Sequence, residues 1–250
     1  MTYRYFIVLQ FNGKNYFGWQ IQPDVPTIQA VLNEKLSLLL NADIHTIGAG
    51  RTDTGVHARF FTAHFDLERD IIKEVGDIIY KINRFLPFDI KVLNIVSVEQ
   101  KAHARYDALS RTYHYYIRTS KEIYNYDFLW QIYYKLDLEL MNKGAEIIME
   151  YKDFTSFSKL HSDVKTNICC ISESFWIEKD GLLIFTITAD RFLRNMVRAI
   201  VGTLVLLGRY KIDLDQLRNI IESKNRSNAG ESVPAKGLFL ENIRYPFPLL

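Results

Sequence analysis

The spacing of apolar residues divides the chain into alternating strands and helices. Tyr3–Phe11 is rich in aromatic and β-branched residues and runs into Asn12-Gly13, a turn signal, so it predicts a strand. After Pro23 and Pro26, Thr27 is placed to cap a helix in which Ile28, Val31, Leu32, Leu36 and Leu39 recur at helical spacing. A glycine-rich stretch occupies residues 48–58, and residues 59–65 predict a second strand. The next helix carries Ile71, Ile72, Val75, Ile78, Ile79, Ile82 and Leu86 on one stripe and stops at Pro87, after which Ile90–Val98 reads as a strand.

A similar order then recurs. Residues 111–119 predict a strand whose opening, Arg111-Thr112-Tyr113, echoes Arg4-Tyr5 of the first. Residues 136–150 predict a helix, and residues 167–177 with Leu182–Ala189 a hairpin turning at Asp180-Gly181. Phe192, Leu193, Met196, Val197, Ile200, Val201, Leu204 and Val205 mark a strongly amphipathic helix, followed by a shorter helix over 213–223 and a last strand over 238–245. The tetrapeptide His57-Ala58-Arg59-Phe60 has a partner in His103-Ala104-Arg105-Tyr106. These echoes predict two α+β halves, residues 1–105 and 106–250, with no linker between them and one continuous sheet.

Composition narrows the class. The 250 residues are 48% hydrophobic and 24% charged, which fits a globular chain with a sizeable core. A net charge of +2 does not mark a nucleic-acid binder, so any basic footprint must be local. The two cysteines, Cys169 and Cys170, are adjacent, with Cα atoms about 3.8 Å apart, closer than ordinary disulfide geometry allows. That suits a reducing compartment. The longest apolar run, near residues 199–207, is about half of what a membrane span needs, and residues 1–5 lead straight into a strand pattern rather than a signal peptide. A soluble cytoplasmic protein is expected.

The chemistry concentrates in Gly48-Ala49-Gly50-Arg51-Thr52-Asp53-Thr54-Gly55-Val56-His57-Ala58. Three glycines let the backbone turn sharply and approach a ligand. Asp53 follows Arg51 by two residues, and a cation held that close keeps a carboxylate ionised, as a nucleophile or base requires. The spacing is equally that of a glycine-rich surface turn with a chance Arg/Asp pair. Two basic runs stand out. Arg191, Arg194, Arg198, Arg209 and Lys211 occur without an intervening acid, the first three at i, i+3 and i+7 on one face of the predicted helix. Lys101, Arg105, Arg111 and Arg118 are interleaved with Tyr106, Tyr113, Tyr115 and Tyr116, a mixture that suits phosphate pairing and base stacking but also ordinary sheet packing. His45, His57, His64, His103, His114 and His161 fit no recurrent metal-ligand spacing, and neither a Gly-x-Ser-x-Gly elbow nor a phosphate-binding loop is present.

The word Gly-Arg-Thr-Asp-Thr-Gly-Val-His-Ala resembles the active-site motif of the TruA-type tRNA pseudouridine synthases. Further blocks match in order: Tyr16-Phe17-Gly18-Trp19-Gln20, Phe85-Leu86-Pro87, His103-Ala104-Arg105-Tyr106-Asp107-Ala108, Arg111-Thr112-Tyr113-His114-Tyr115-Tyr116, Asp153-Phe154-Thr155-Ser156-Phe157, residues 192–198 and Pro234-Ala235-Lys236-Gly237-Leu238. The resemblance implies an α+β fold of two ferredoxin-like halves sharing a central antiparallel sheet, helices on one side and a cleft between the halves. It implies a homodimer that grips tRNA and converts uridine to pseudouridine at positions 38, 39 and 40 of the anticodon stem-loop, with no cofactor and no metal.

Residue roles follow from the same resemblance. Asp53 is the implied nucleophile, attacking the ribose C1′ or the uracil ring or starting a glycal route; the motif does not choose among these. Arg51 pairs with phosphate or helps extrude the base. Tyr113 stacks on the flipped uracil, Leu238 lines its pocket, and Arg198 pairs with Asp53. Arg191, Arg194 and Arg105 are the implied RNA contacts. One departure is that Cys169 stands where the family commonly has an Arg; Val233 before Pro234 replaces a usual Ala. The competing reading is a catalytically silent RNA-binding protein on the same scaffold.

Overall fold

The computed structural model describes residues 1–159 and 166–249; His161 lies outside them. Among the described residues are five α-helices and nine strands, in an α+β arrangement dominated by antiparallel pairing. The chain divides into two compact units, Met1–Leu109 with Leu240–Leu250, and Ser110–Phe239.

In the first unit, β1 (Tyr3–Phe11) pairs antiparallel with both β3 (His57–Leu67) and β4 (Ile90–Val98), and the short β2 (Ile47–Gly48) joins β3. Tyr5 through Leu9 are all fully buried, so β1 has no solvent face. Tyr245 and Phe247 meet the Phe6 ring edge-on at 5.4 and 5.6 Å, and the Asn94 side chain donates to the Leu249 carbonyl, so the chain's last residues cover part of the sheet. Helix α1 (Ile28–Leu40) begins where Thr27 caps it, its hydroxyl accepting from the Ala30 N–H. Its buried positions are Ile28, Leu32, Leu36 and Leu40 rather than Leu39. Helix α2 (Val75–Phe85) starts late. Residues 72–74 form a 3-10 turn that leaves Ile72 exposed, while Ile78, Ile82 and Leu86 point inward. Asn83 grips both the N–H and the carbonyl of Val92, locking α2 to β4.

In the second unit, β8 (Leu182–Ala189) lies between β5 (Ser110–Arg118) and β7 (Ile171–Lys179), antiparallel to both, with the short β6 (Trp130–Gln131) parallel to β5. The β7–β8 hairpin turns at Asp180-Gly181, both with positive φ, as a two-residue turn of the primed class demands. Helix α3 (Leu138–Glu150) is tied to β7 by Asn142, which bonds the backbone N–H and carbonyl of Trp176. Helix α5 (Leu214–Glu222) opens with a full capping box between Asp213 and Gln216. The last strand, β9 (Leu238–Arg244), spans the division between the units.

Helix α4 (Met196–Gly208) corrects two expectations. It is buried all round, only Arg198 and Leu206 falling short, so it is a core helix rather than an amphipathic one. It also begins at Met196, because Asn195 takes a left-handed φ of 67° at the cap. Arg191 and Arg194 therefore precede the helix and share no helical face with Arg198. The tetrapeptide echo is not one of structure: residues 57–60 open β3, whereas residues 103–106 lie in a turn before β5.

Candidate active site

The glycine-rich stretch folds as an extension of β2 followed by a tight turn. The Ala49 N–H reaches the Thr62 carbonyl at 2.8 Å, carrying the pairing one residue past Gly48. Asp53 to Val56 then closes a turn through the Val56 N–H and the Asp53 carbonyl at 3.2 Å. Gly55 sits at its third position with φ +78°, a conformation that side chains other than glycine's rarely adopt. His57, buried at the start of β3, accepts the Gly13 N–H on Nδ1 at 3.1 Å, tying the turn's exit to the segment after β1. The Asp53 side chain is half-buried at the tip, Arg51 is exposed, and the space a Cβ would occupy at Gly50 is empty to 4 Å. Arg51 and Asp53 thus lie on the same short stretch of the turn, the one exposed and the other half-buried.

Arg105, also in the first unit, is exposed, its guanidinium 5.8 Å from the Tyr106 ring centre. The turn carrying it is built on histidines: His103 Nδ1 accepts the Arg105 N–H, and His64 Nδ1 accepts the Ala104 N–H, both at 3.1 Å. The remaining candidates belong to the second unit. Tyr113 is half-buried on β5 and meets Phe192 edge-on, ring centres 5.2 Å apart. Arg198 donates from Nε to the Val233 carbonyl at 2.7 Å, while Val233 returns its N–H to the Arg198 carbonyl. Leu238 is buried at the start of β9, directly after the 3-10 turn Ala235–Gly237. Tyr115 donates to the Pro234 carbonyl at 2.8 Å and lies in the core, so it drops out of the basic and aromatic surface expected from sequence. In the same run Arg118 pairs with Glu122 and Lys101 with Glu99. Arg194 is exposed and Arg191 half-buried. Cys169 is wholly buried, and burial pushes its thiol up to about 12, so the position where an Arg is common here belongs to the core.

Two contributors escaped sequence reasoning. Asp89 accepts a hydrogen bond from Tyr16 across 73 residues of chain, which no local pattern signals. The Thr52 hydroxyl is buried beside Asp53.

The first unit thus presents a glycine-rich turn with one half-buried carboxylate, and each unit carries its own arginines and aromatics. Comparison with known proteins supplies the family. A family model described as tRNA pseudouridine synthase matches residues 151–246. A tRNA pseudouridine synthase A from Parabacteroides distasonis is 51% identical over 97% of this chain and 96% of its own. One from Bacteroides thetaiotaomicron is 51% identical over 97% and 91%, and one from Clostridium acetobutylicum 39% identical over 96% and 98%. The chain belongs to the tRNA pseudouridine synthase A family.

Proposed function

We propose that this protein isomerises uridine to pseudouridine at positions 38, 39 and 40 in the anticodon stem-loop of tRNA, with Asp53 as the nucleophile and no cofactor. The supporting observation is 51% identity to named synthases over 97% of the chain, together with a glycine-turn that carries a half-buried Asp53. In the reaction the N1–C1′ glycosidic bond breaks and a C5–C1′ bond forms, so N1 gains a proton and C5 loses one. A stacked base cannot be reached for this, so the nucleotide must leave the helix. The first unit carries the reacting carboxylate and Arg51, which assists extrusion or holds a phosphate. The second supplies Tyr113 to stack on the uracil, Leu238 to line its pocket and Arg198 to orient Asp53. Arg105, Arg191 and Arg194 hold the RNA backbone, and two copies of the chain act together in the cytoplasm. No helix among the described residues is long and apolar enough to cross a membrane.

The test is tritium release from tRNA labelled at uracil C5. Wild-type protein should release the label, and Asp53→Ala should not while still binding tRNA. Turnover by Asp53→Ala would overturn the nucleophile. Salt-dependent tRNA binding by the wild type without new pseudouridine would replace the reading with that of a silent binder.

A further inference from the structure

We propose that Tyr16 and Asp89 are positioning residues for Asp53: together they fix the segment on which the Asp53 turn is moulded. The inference rests on the reading of Asp53 as the reacting carboxylate. The segment from Asn12 to Gly18 follows β1, and Asp89 holds it at three points. The Tyr16 hydroxyl donates to Asp89 Oδ1 at 2.7 Å, the Asn15 amide to Oδ2 at 3.4 Å, and the Asn12 N–H to the Asp89 carbonyl at 2.9 Å. Asp89 is itself set on a firm base. It immediately precedes β4, whose Val92 is locked to α2 by Asn83.

The held segment touches the turn on both sides of Asp53. The Tyr16 carbonyl accepts the Gly55 N–H at 3.2 Å. Gly13 lies so close that a Cβ there would stand 2.0 Å from the Val56 oxygen, and one on Gly18 would stand 2.2 Å from the Thr52 oxygen. Thr52 precedes Asp53, and Gly55 and Val56 follow it. The carboxylate therefore sits on backbone whose two shoulders both bear on a single segment, and any displacement of that segment passes to Asp53. Tyr16 is only 6% exposed. Burial, and then the bond to Asp89, raise its pKa well above that of a free phenol, so it remains a donor across the working range. Reaction rates are steep in such geometry: a displacement of about 1 Å can cost on the order of 100-fold.

Four variants and one reference test this. Tyr16→Phe keeps the ring and removes the donor; Asp89→Ala removes the acceptor; Asp89→Asn keeps an oxygen for the phenol; Tyr16→Phe/Asp89→Ala removes both. The measurements are the single-turnover rate at saturating tRNA, the tRNA Kd and the melting temperature, with Asp53→Ala as reference. Tyr16→Phe and Asp89→Ala should each slow the chemical step about tenfold or more with Kd within about twofold of wild type. Asp89→Asn should keep at least about half the rate, and the double variant should be no slower than the worse single one. A folded Tyr16→Phe at the wild-type rate, a loss confined to Kd, or Asp89→Asn as slow as Asp89→Ala would each overturn the inference. Where Tyr16→Phe melts below the assay temperature, the two Asp89 variants carry the same comparison. If Asp53→Ala retains turnover, the underlying reading fails and the positioning claim with it. If Asp53→Ala is inactive and Tyr16→Phe is normal, the positioning claim alone fails.

Discussion

Acidification from pH 7 to pH 5 should destabilise this protein through one buried histidine. His64 lies on β3 at 2% exposure, its ring against Phe6 at 6.0 Å and edge-on to His103 at 4.6 Å. Burial first, then the positive Arg4 and His103, lower its pKa to about 4, against the partial opposition of Asp66 and Asp107. Its Nδ1 already accepts the Ala104 N–H, so protonation would also break that bond. The unfolded chain takes up the proton near pH 6.5, whereas the folded chain resists until about pH 4. Stability is therefore complete above pH 6.5 and drains away as pH falls through that window. The whole window is worth about 3 kcal/mol, and about 2 kcal/mol of it is gone by pH 5. That is a large share of the 5–15 kcal/mol, roughly, that holds a folded protein together. His103 is shifted the same way, but it is present in wild type and variant alike. Asp66 and Asp70 have lowered pKa values and lose their contribution only at more acid pH. The assay is urea unfolding at pH 7 and pH 5 for wild type and His64→Asn, whose side-chain oxygen can still accept the Ala104 N–H. Wild type should lose about 2 kcal/mol more than the variant over this interval. Equal losses, or an NMR titration of the His64 ring with a midpoint near 6.5, would refute the reasoning.

Three further outcomes are expected. Gly18→Ala places a Cβ on a residue with φ +85° and against the Thr52 oxygen; strain and overpacking together cost about 2–5 kcal/mol, seen as a melting temperature lower by roughly 5–15 °C, and an unchanged melt would count against the packing described. Iodoacetamide at pH 8 should alkylate one thiol per native chain, the exposed Cys170, and two in urea, because burial holds the Cys169 thiol protonated; two equivalents on the native protein would contradict the buried assignment. Tyr115→Phe leaves the Pro234 carbonyl without its donor and should lower stability by about 1–3 kcal/mol in a denaturant titration; no loss would mean that water replaces the hydroxyl.

How far the sequence reaches depends on the range of the interaction that decides each feature. The ends of β1 and β4, the Thr27 cap and the Asp180-Gly181 turn follow from rules spanning a few residues, and all were legible. The start of α4 was not. Phe192 and Leu193 continue the helical spacing of apolar residues, yet Phe192 is placed against Tyr113, a tertiary contact, and Asn195 breaks the helix behind it. Period alone cannot separate a residue inside a helix from an apolar residue packed just before it. Likewise the Tyr stripe in β5 mixes Tyr115, a core residue bonded to Pro234, with Tyr113, which stays partly open. At the site, Gly55 announced the turn because positive φ is a local demand. The hold of Asp89 on Tyr16 joins residues far apart in the chain, and only the folded sheet brings them together.

The Asp53 turn is restrained unevenly, and on the proposed reading of Asp53 as nucleophile the unevenness bears on catalysis. Its underside is fixed: Gly13 and Gly18 admit no Cβ against the Val56 and Thr52 carbonyls, and the Gly55 N–H is bonded to Tyr16. Its entry strand is less crowded: nothing lies within 4 Å of a Cβ at Gly50, and Arg51 is exposed. A turn loose on both sides would have to order its carboxylate during each reaction, and the cost of that ordering would fall on the chemical step. A turn closed on both sides would leave no path for a nucleotide drawn out of its helix. The glycines therefore divide into two kinds by what surrounds them. Gly13, Gly18 and Gly55 give rigidity by allowing close approach or a left-handed turn, while Gly50 has open space where a side chain would stand.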